Sequence, residues 1–486
     1  MPVDLDTPLP IDAKGPDCEL TDRVADALHG CFPDRYWSHE NRLVRRQDDR
    51  MVRVTVPELS PQVARAATLV EVLKDGTVRN RPVPTRIQRD LLYSADAHCR
   101  PLEGITRAPF LAPNGDLVVT PGYHPPTQLW LSWEGAPITP VSPTTPDGAD
   151  VLERLLDFPF VDTADRTHAL GLFLVLLQRP AISGPVPLHL IASTAPGTGK
   201  TTLGRAAGLV AFGEEPILYG LDGWRGEQGR QLHTYLQDAP PLMLLDNLPT
   251  GAVLGGSDLH RILTSTGRVA VRIVRSGRTT MLKVRSVFAA TANHPALDVD
   301  MQRRTVTIRL AEVKHRAYRT PDLAGWLRSH RRQVLAVLLG LIQDWLDAGR
   351  PAPAASLKGF DVWSQVVGGV LSHGGFEGFL GHGPPPPSPL DQDFAELLSS
   401  WPADPDGRPR PLRPGQVLGV AEQLALTALL DRVAGGCRAS RMGRILHRRA
   451  TERWVCNGQV IVRGSQRGGA DYRPQPYGME GSSSGR

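Results

Sequence analysis

The chain has 486 residues, 41% of them hydrophobic, a formal net charge of +5 and a pI near 9.0. Its length allows about three hydrophobic cores, and its ordinary apolar fraction excludes a disordered or fibrous chain. The mild positive balance suits contact with nucleic acid; only six of the 55 basic residues are lysine, so a lysine at a chemically demanding position is informative.

Five scattered cysteines, Cys18, Cys31, Cys99, Cys437 and Cys456, lack any CxxC spacing. Neither a zinc site nor a disulfide framework is expected from them, and a reducing, cytoplasmic setting is. The start, Met1-Pro2-Val3-Asp4, has no signal-peptide character, and the longest apolar run, Ala169–Leu177, is too short for a bilayer, so no membrane partner is expected.

In chain order, residues 1–20 are rich in Pro and Asp and read as a disordered N-terminus. Residues 21–145 read as a small α+β domain. It has a helix near Leu20–His29 and strands at Arg42–Arg45, Met51–Val56 and Asp116–Thr120. The Pro/Thr-dense stretch Pro125–Ala149 reads as a linker. Helical runs at Asp150–Leu156 and Arg166–Leu177 open a segment, 150–320, in which apolar strands alternate with helices. That alternation predicts an α/β fold with a parallel sheet covered by helices. A helical subdomain (321–382), a Pro-rich linker (383–390), a compact last domain (391–476) and a disordered tail (477–486) follow.

The most specific stretch is Thr194-Ala195-Pro196-Gly197-Thr198-Gly199-Lys200-Thr201-Thr202, between an apolar run at Pro187–Ala192 and a helical run from Thr201 to Val210. Strand, glycine-rich turn and helix place backbone N–H groups and a helix N-terminus around phosphates, so Pro196 to Thr202 are read as an ATP-binding loop. Lys200 would reach the β- and γ-phosphates and Thr201 would ligate Mg²⁺. Thr194 stands where this loop usually begins with glycine.

A second apolar strand, Pro241–Leu245, ends in Asp246-Asn247 and would deliver the Asp246 carboxylate to the metal. Asn247 holds the position where many such ATPases carry a glutamate; an amide orients water but does not take its proton. Glu227, in Trp224–Arg230, is the preferred substitute base and Asp222 the second choice. A third strand, Ser286–Ala292, ends in Asn293, placed to position water beside the γ-phosphate. Arg303-Arg304, before the strand Thr305–Leu310, suits an arginine finger reaching a neighbouring subunit.

This order of motifs resembles AAA+-related superfamily III helicases, and more narrowly the ATPase part of phage and mobile-element primase-helicases. The similarity rests on Pro101–Ile105, Pro121–Tyr123, Arg179–Ile182, the loop, Leu245-Asp246-Asn247, Ala290–Asn293 with Arg303-Arg304, and Trp363–Gly369. It extends over roughly residues 40–475 and departs from the family at Thr194 and Ala292. The resemblance implies an AAA+-type P-loop core, a hexameric homo-oligomeric ring and translocation on single-stranded or forked DNA. No primase motif is present, so a separate primase or polymerase would supply priming. The family's hairpin before the sensor strand corresponds to Arg268–Val284, with a Ser276-Gly277 turn. Arg272, Arg275, Arg278 and Lys283 there would grip phosphates in the ring channel.

The last domain has helical runs at Val417–Val433 and Ser440–Arg453, then strands at Val455–Val462 and Ala470–Arg473 around a basic loop. That is the order of a winged helix, with Arg441, Arg444 and Arg448 on one helical face toward DNA. The expectation is an ATP-dependent helicase or translocase replicating a phage, plasmid or integrated element. The alternative is a DNA-binding ATPase switch, serving regulation or defence, without unwinding.

Overall fold

The computed structural model describes residues 8–221, 225–237, 239–249, 253–266, 268–272, 279–293, 295–313, 316–381, 389–451, 455–456, 459–466 and 469–476. The chain divides into two compact units, Met1–Thr139 and Pro140–Arg486.

In the first unit β1 (Leu9–Asp12) pairs in parallel with a later strand, so residues 8–20 are not the disordered stretch expected from composition. Buried Ile11 gives that strand its anchor. Helix α1 (Asp17–Cys31) buries Leu20, Val24 and Leu28, and β2 (Tyr36–His39), β3 (Arg42–Gln47) and β4 (Arg50–Arg53) form an antiparallel sheet. Helix α2 (Val56–Ala66) starts at a Thr55–Glu58 capping box that satisfies two N-terminal donors. Strands β5 (Ala67–Val72) and β6 (Val78–Arg81) and helix α3 (Thr85–Tyr93) complete the larger core. Strands β7 (Gly104–Thr106), β8 (Phe110–Leu111), β9 (Leu117–Val118), β10 (Gly122–His124) and β11 (Leu129–Leu131) follow. Strand β11 lies inside the expected linker: Leu129 and Leu131 are buried on either side of Trp130, an alternation that the surrounding Pro and Thr obscure.

The second unit opens on α4 (Pro146–Leu155), whose first turn also falls in the expected linker because Thr145 caps it by accepting from the Gly148 N–H. Helix α5 (Thr163–Gln178) is buried almost all round. Then β12 (Leu188–Ser193), α6 (Lys200–Phe212), β13 (Leu218–Tyr219), α7 (Arg225–Leu236) and β14 (Leu242–Leu248) alternate. Short β15 (Val253–Leu254) and α8 (Ser257–Leu263) lead to the antiparallel pair β16 (Arg268–Arg272) and β17 (Thr279–Lys283). Strand β18 (Val287–Asn293), β19 (Ala296–Leu297), α9 (Val299–Gln302) and β20 (Thr305–Leu310) end the α/β part.

Five of these strands make one parallel sheet in the order β13-β14-β18-β12-β20. The fold class is thus mixed α/β with a P-loop-like core. Every residue of β12 is buried, which a parallel strand covered on both faces demands. Each such buried Leu or Ile contributes about 1.5–3 kcal/mol.

Helix α10 (Leu323–Asp347) packs on α6 and α4. Its Arg331 donates from Nε to the Val210 carbonyl (2.9 Å) and from Nη2 to that of Ala211 (3.1 Å). A cation thereby serves the orphan carbonyls at the α6 C-terminus. Helices α11 (Asp361–Trp363) and α12 (Gly369–His373) are joined by a π-helical turn, Ser364–Gly368. A Cβ on Gly368 would come within 2.3 Å of the Phe379 ring, so the turn is pressed against that ring.

The last part holds α13 (Pro389–Ser399), α14 (Pro414–Gln423), α15 (Thr427–Val433), α16 (Arg438–Thr451), β21 (Val455–Cys456), β22 (Gln459–Gln466) and β23 (Gly469–Pro476). The single helical run expected at Val417–Val433 is two helices, broken where Ala425 takes φ +52°. Pro389 and Leu390, assigned to the Pro-rich linker, begin α13; residues 382–388 and the tail 477–486 lie outside the described residues. Among the described residues no helix is long and apolar enough to cross a membrane.

Candidate nucleotide-binding site

Strands β12, β14 and β18 end side by side, with Ser193 in register with Asn293, so their carboxyl ends share one sheet edge. Ligands of open parallel sheets bind at that edge. The loop from β12 to α6 turns on Gly197 (φ +75°) and Gly199 (φ +95°), conformations that cost other residues dearly. Thr194 needs no such conformation, since it is not among the residues with positive φ. Glycine at the loop's first position is therefore dispensable here.

Lys200 is 9% exposed, and its Nζ donates to the Ala195 carbonyl (3.0 Å) and to Thr198 Oγ1 (3.1 Å). Burial lowers its pKa, against which the nearby Asp246 charge acts. An ammonium folded onto its own loop is ready to exchange those two neutral acceptors for phosphate oxygens.

Opposite the loop, β14 carries a bulge. Leu245 pairs with Ala290 and Leu248 with Ala292, so Asp246 and Asn247 together face Thr291 alone. Thr291, 1% exposed, donates from Oγ1 to Asp246 Oδ1 (2.6 Å) and accepts from the Asn247 N–H (2.7 Å). Thr201 Oγ1 donates to the same Asp246 Oδ1 (2.8 Å). The bulge turns Asn247 to φ +53° and leaves its side chain exposed. Asparagine is among the few residues that adopt this left-handed conformation readily, which gives the amide at this position a backbone reason.

These oxygens suit a hard divalent cation. Thr201 and Asp246 bring a hydroxyl and a carboxylate within 2.8 Å of each other, the donor set that Mg²⁺ prefers. Asn293 Oδ1, at the end of β18, is buried and has no hydrogen-bond partner among the described residues. An orphaned acceptor at this edge fits a site completed by water or ligand.

The remaining expected site residues separate. Glu227 lies in the first turn of α7, its carboxylate 3.1 Å from Arg230 Nη1, with no hydrogen bond or ion pair to the loop, Asp246 or Asn293. Asp222 is outside the described residues. Arg303 is ion-paired with Asp300 and 69% exposed. Arg304 is 16% exposed and held twice by Asp300, at its carbonyl (3.0 Å) and its carboxylate (3.2 Å).

Arg272 and Lys283 fall at described backbone positions of β16 and β17, whereas Arg275 and Arg278 lie outside the described residues. On α16, Arg444 and Arg448 are exposed, while Arg441 donates to the Ala434 carbonyl. Arg449, one position on, is buried against Asp391 (2.6 Å) and lies over Phe394 (4.9 Å), tying α16 to α13.

Two features escaped the sequence. One is Thr291, whose only signal is a hydroxyl inside an otherwise apolar strand. The other is a cavity of about 480 Å³ lined by Leu156, Asp157, Phe158, Phe160, Arg166 and Arg316 among others. Phe158 also packs on the loop, 3.4 Å from where a Cβ on Gly199 would stand. Asp157 holds Arg316 (2.5 Å) and Glu153 holds Arg166 (2.6 Å), so charged walls flank two aromatic rings. No sequence spacing brings residues 153–166 beside Gly199 and Arg316; the fold does.

No family model matches the chain, and no curated protein does. Among solved structures it is similar to the A form apo structure of the NrS-1 C terminal region. Identity is 13%, coverage 75% of this chain and 74% of that one, and the TM-score 0.40. A second apo structure of that region (305–718) gives 14% identity, coverage of 79% and 78%, and a TM-score of 0.40. The X-ray structure of JCV helicase gives 18% identity, coverage of 41% and 59%, and a TM-score of 0.21. At these values the likenesses carry no argument about activity or partners.

Proposed function

We propose that the chain is an ATP-driven motor on DNA, with an AAA+-type core, working as a helicase or translocase in a ring, a hexamer being what the family resemblance implies. The observation that carries this is the cluster of Thr201, Asp246 and Thr291 under the Lys200 loop, on a sheet whose acidic strand is separated from the loop strand by β18. The loop N–H groups and Lys200 bind the phosphates, and the Phe158–Phe160 cavity takes the base. Thr201 and Asp246 would hold Mg²⁺, which supplies charge neutralisation on the β- and γ-phosphate oxygens. Asn293 orients the attacking water through Oδ1, and exposed Arg303 is the finger offered to a neighbouring nucleotide. DNA contacts fall to the β16–β17 hairpin and, in a winged-helix reading of α13–β23, to Arg444 and Arg448. A bridge from Leu412, before α14, to Tyr472 in β23 supports that reading, since it sets a short extended segment between the first two helices beside the β22–β23 hairpin, as such a module has. Replication of a mobile element, with a separate primase or polymerase, is the setting that the resemblance suggests.

A slower ATPase switch on DNA is the second reading. It is favoured by Glu227, which pairs with Arg230, and by the Asp246 hydrogen-bond cluster, which holds no second carboxylate among the described residues. The deciding experiment combines ATP hydrolysis, with and without single-stranded DNA, and strand separation on a fork. DNA-stimulated hydrolysis with unwinding, both lost in Lys200→Ala, is expected. Hydrolysis without strand separation sinks the motor and leaves the switch; failure to bind ATP sinks both.

A further inference from the structure

Cross-strand partners in an antiparallel sheet point to the same side. The pairs Trp37↔Val44, His39↔Arg42, Val44↔Arg53 and Arg46↔Met51 therefore place Arg42, Arg46 and Arg53 on one face of β2–β4. Leu43, on the opposite face, belongs to the helical core of the first unit, while Trp37 and Val44 form a small separate cluster bordered by Trp130. The Arg46 guanidinium lies 4.1 Å above the Trp130 ring, and Arg42 lies 4.5 Å above Tyr93, itself 54% exposed.

The charge on this face is local. Residues 1–139 carry 19 acidic side chains against 16 basic ones, yet five arginines fall between Arg42 and Arg53 against two aspartates. Of those aspartates, Asp49 is taken by Arg107 (3.0 Å) and Asp48 offers Arg46 its carbonyl. Arg42 and Arg53 are exposed and have no ion pair among the described residues. An ordinary solvated face intersperses its cations with carboxylates; this one leaves arginines unneutralised beside aromatic rings.

We propose that this face of the first unit binds single-stranded nucleic acid. Arg42 and Arg53 hold phosphates, and the guanidinium–ring pair Arg46–Trp130 presents a flat cationic surface on which an unpaired base stacks. Stacking requires unpaired bases, so a duplex is not the ligand. The site needs no nucleotide hydrolysis and stands apart from the reading of the Lys200 loop.

The test titrates fluorescent oligo(dT), oligo(U) and a blunt duplex with the full chain, without ATP, by anisotropy across salt concentrations. Arg42→Ala/Arg53→Ala should weaken single-strand binding about fivefold or more and make the slope of log K against log salt shallower by about 1.4, two phosphates' worth. Arg42→Lys/Arg53→Lys should recover the slope, which a purely structural guanidinium role would not allow. Arg444→Ala/Arg448→Ala reports the α16 contacts separately. Tighter binding of oligo(dT) or of oligo(U) names the polymer, and either supports the proposal. Unchanged affinity and slope in the alanine pair, or equal weakening toward the blunt duplex, overturns it.

Discussion

Thr291 shows how one hydroxyl organises the candidate site, because it donates to Asp246 and accepts from Asn247 with both capacities used. Thr291→Val keeps the shape and removes both bonds, leaving the Asn247 N–H and the Asp246 carboxylate each short of a partner. It should lower stability by about 1–3 kcal/mol and slow ATP hydrolysis more than it weakens nucleotide binding; equal losses in both would show that Thr291 merely supports the loop. Asn247 invites the opposite exchange. A glutamate there carries the strain of the left-handed backbone, which costs residues other than glycine and asparagine about 1–2 kcal/mol. Asn247→Glu should lower the melting temperature without raising turnover, while Asn247→Gly should melt as the parent does. Arg303 and Arg304 divide by exposure, 69% against 16%. Arg304→Ala should lower the melting temperature, whereas Arg303→Ala should leave it alone and reduce hydrolysis only in assembled protein. Light scattering alongside the assay checks this, and a fully active monomer would remove the finger.

Elements deliver these side chains to one edge. The β14 bulge faces two residues toward one threonine, and the helix after β12 begins at Lys200 itself, so the lysine stands on the first turn of α6. That helix is held from its far end, where Arg331 of α10 serves two terminal carbonyls. Arg331→Met should therefore destabilise the second unit by about 1–2 kcal/mol and also weaken nucleotide binding at the distant loop. Thermal melting with and without ATP tests the link, and loss of stability alone would confine Arg331 to packing.

At the scale of the whole molecule, the buried sheet sets a pH limit. His189, the second residue of β12, is fully enclosed, and burial first, then the charge of His168, lowers its pKa from 6.5 to about 3. The unfolded chain binds this proton near pH 6.5 and the folded one does not until about pH 3. Stability from this residue is therefore complete above pH 6.5 and falls as pH drops toward 3. His189→Gln should flatten the acid limb of stability against pH in denaturant titrations; an unchanged limb would place the sensitivity elsewhere.

The glycine-rich turn before Lys200 and the apolar strands that carry Asp246 and Asn293 were legible in the amino-acid sequence, because tight turns and buried parallel strands impose short, local patterns. The alternation of strands and helices likewise announced the α/β core. Composition misled where a few apolar residues sat among prolines: Ile11 anchors β1 and Leu129 and Leu131 anchor β11, since burial depends on what a residue meets and not on its neighbours in the chain. Only the tertiary structure decided the rest. Strand order put Asn293 beside the loop, the bulge made Thr291 the partner of Asp246, and chain folding brought Phe158 against Gly199. These are contacts between residues distant in sequence, and no local spacing specifies them.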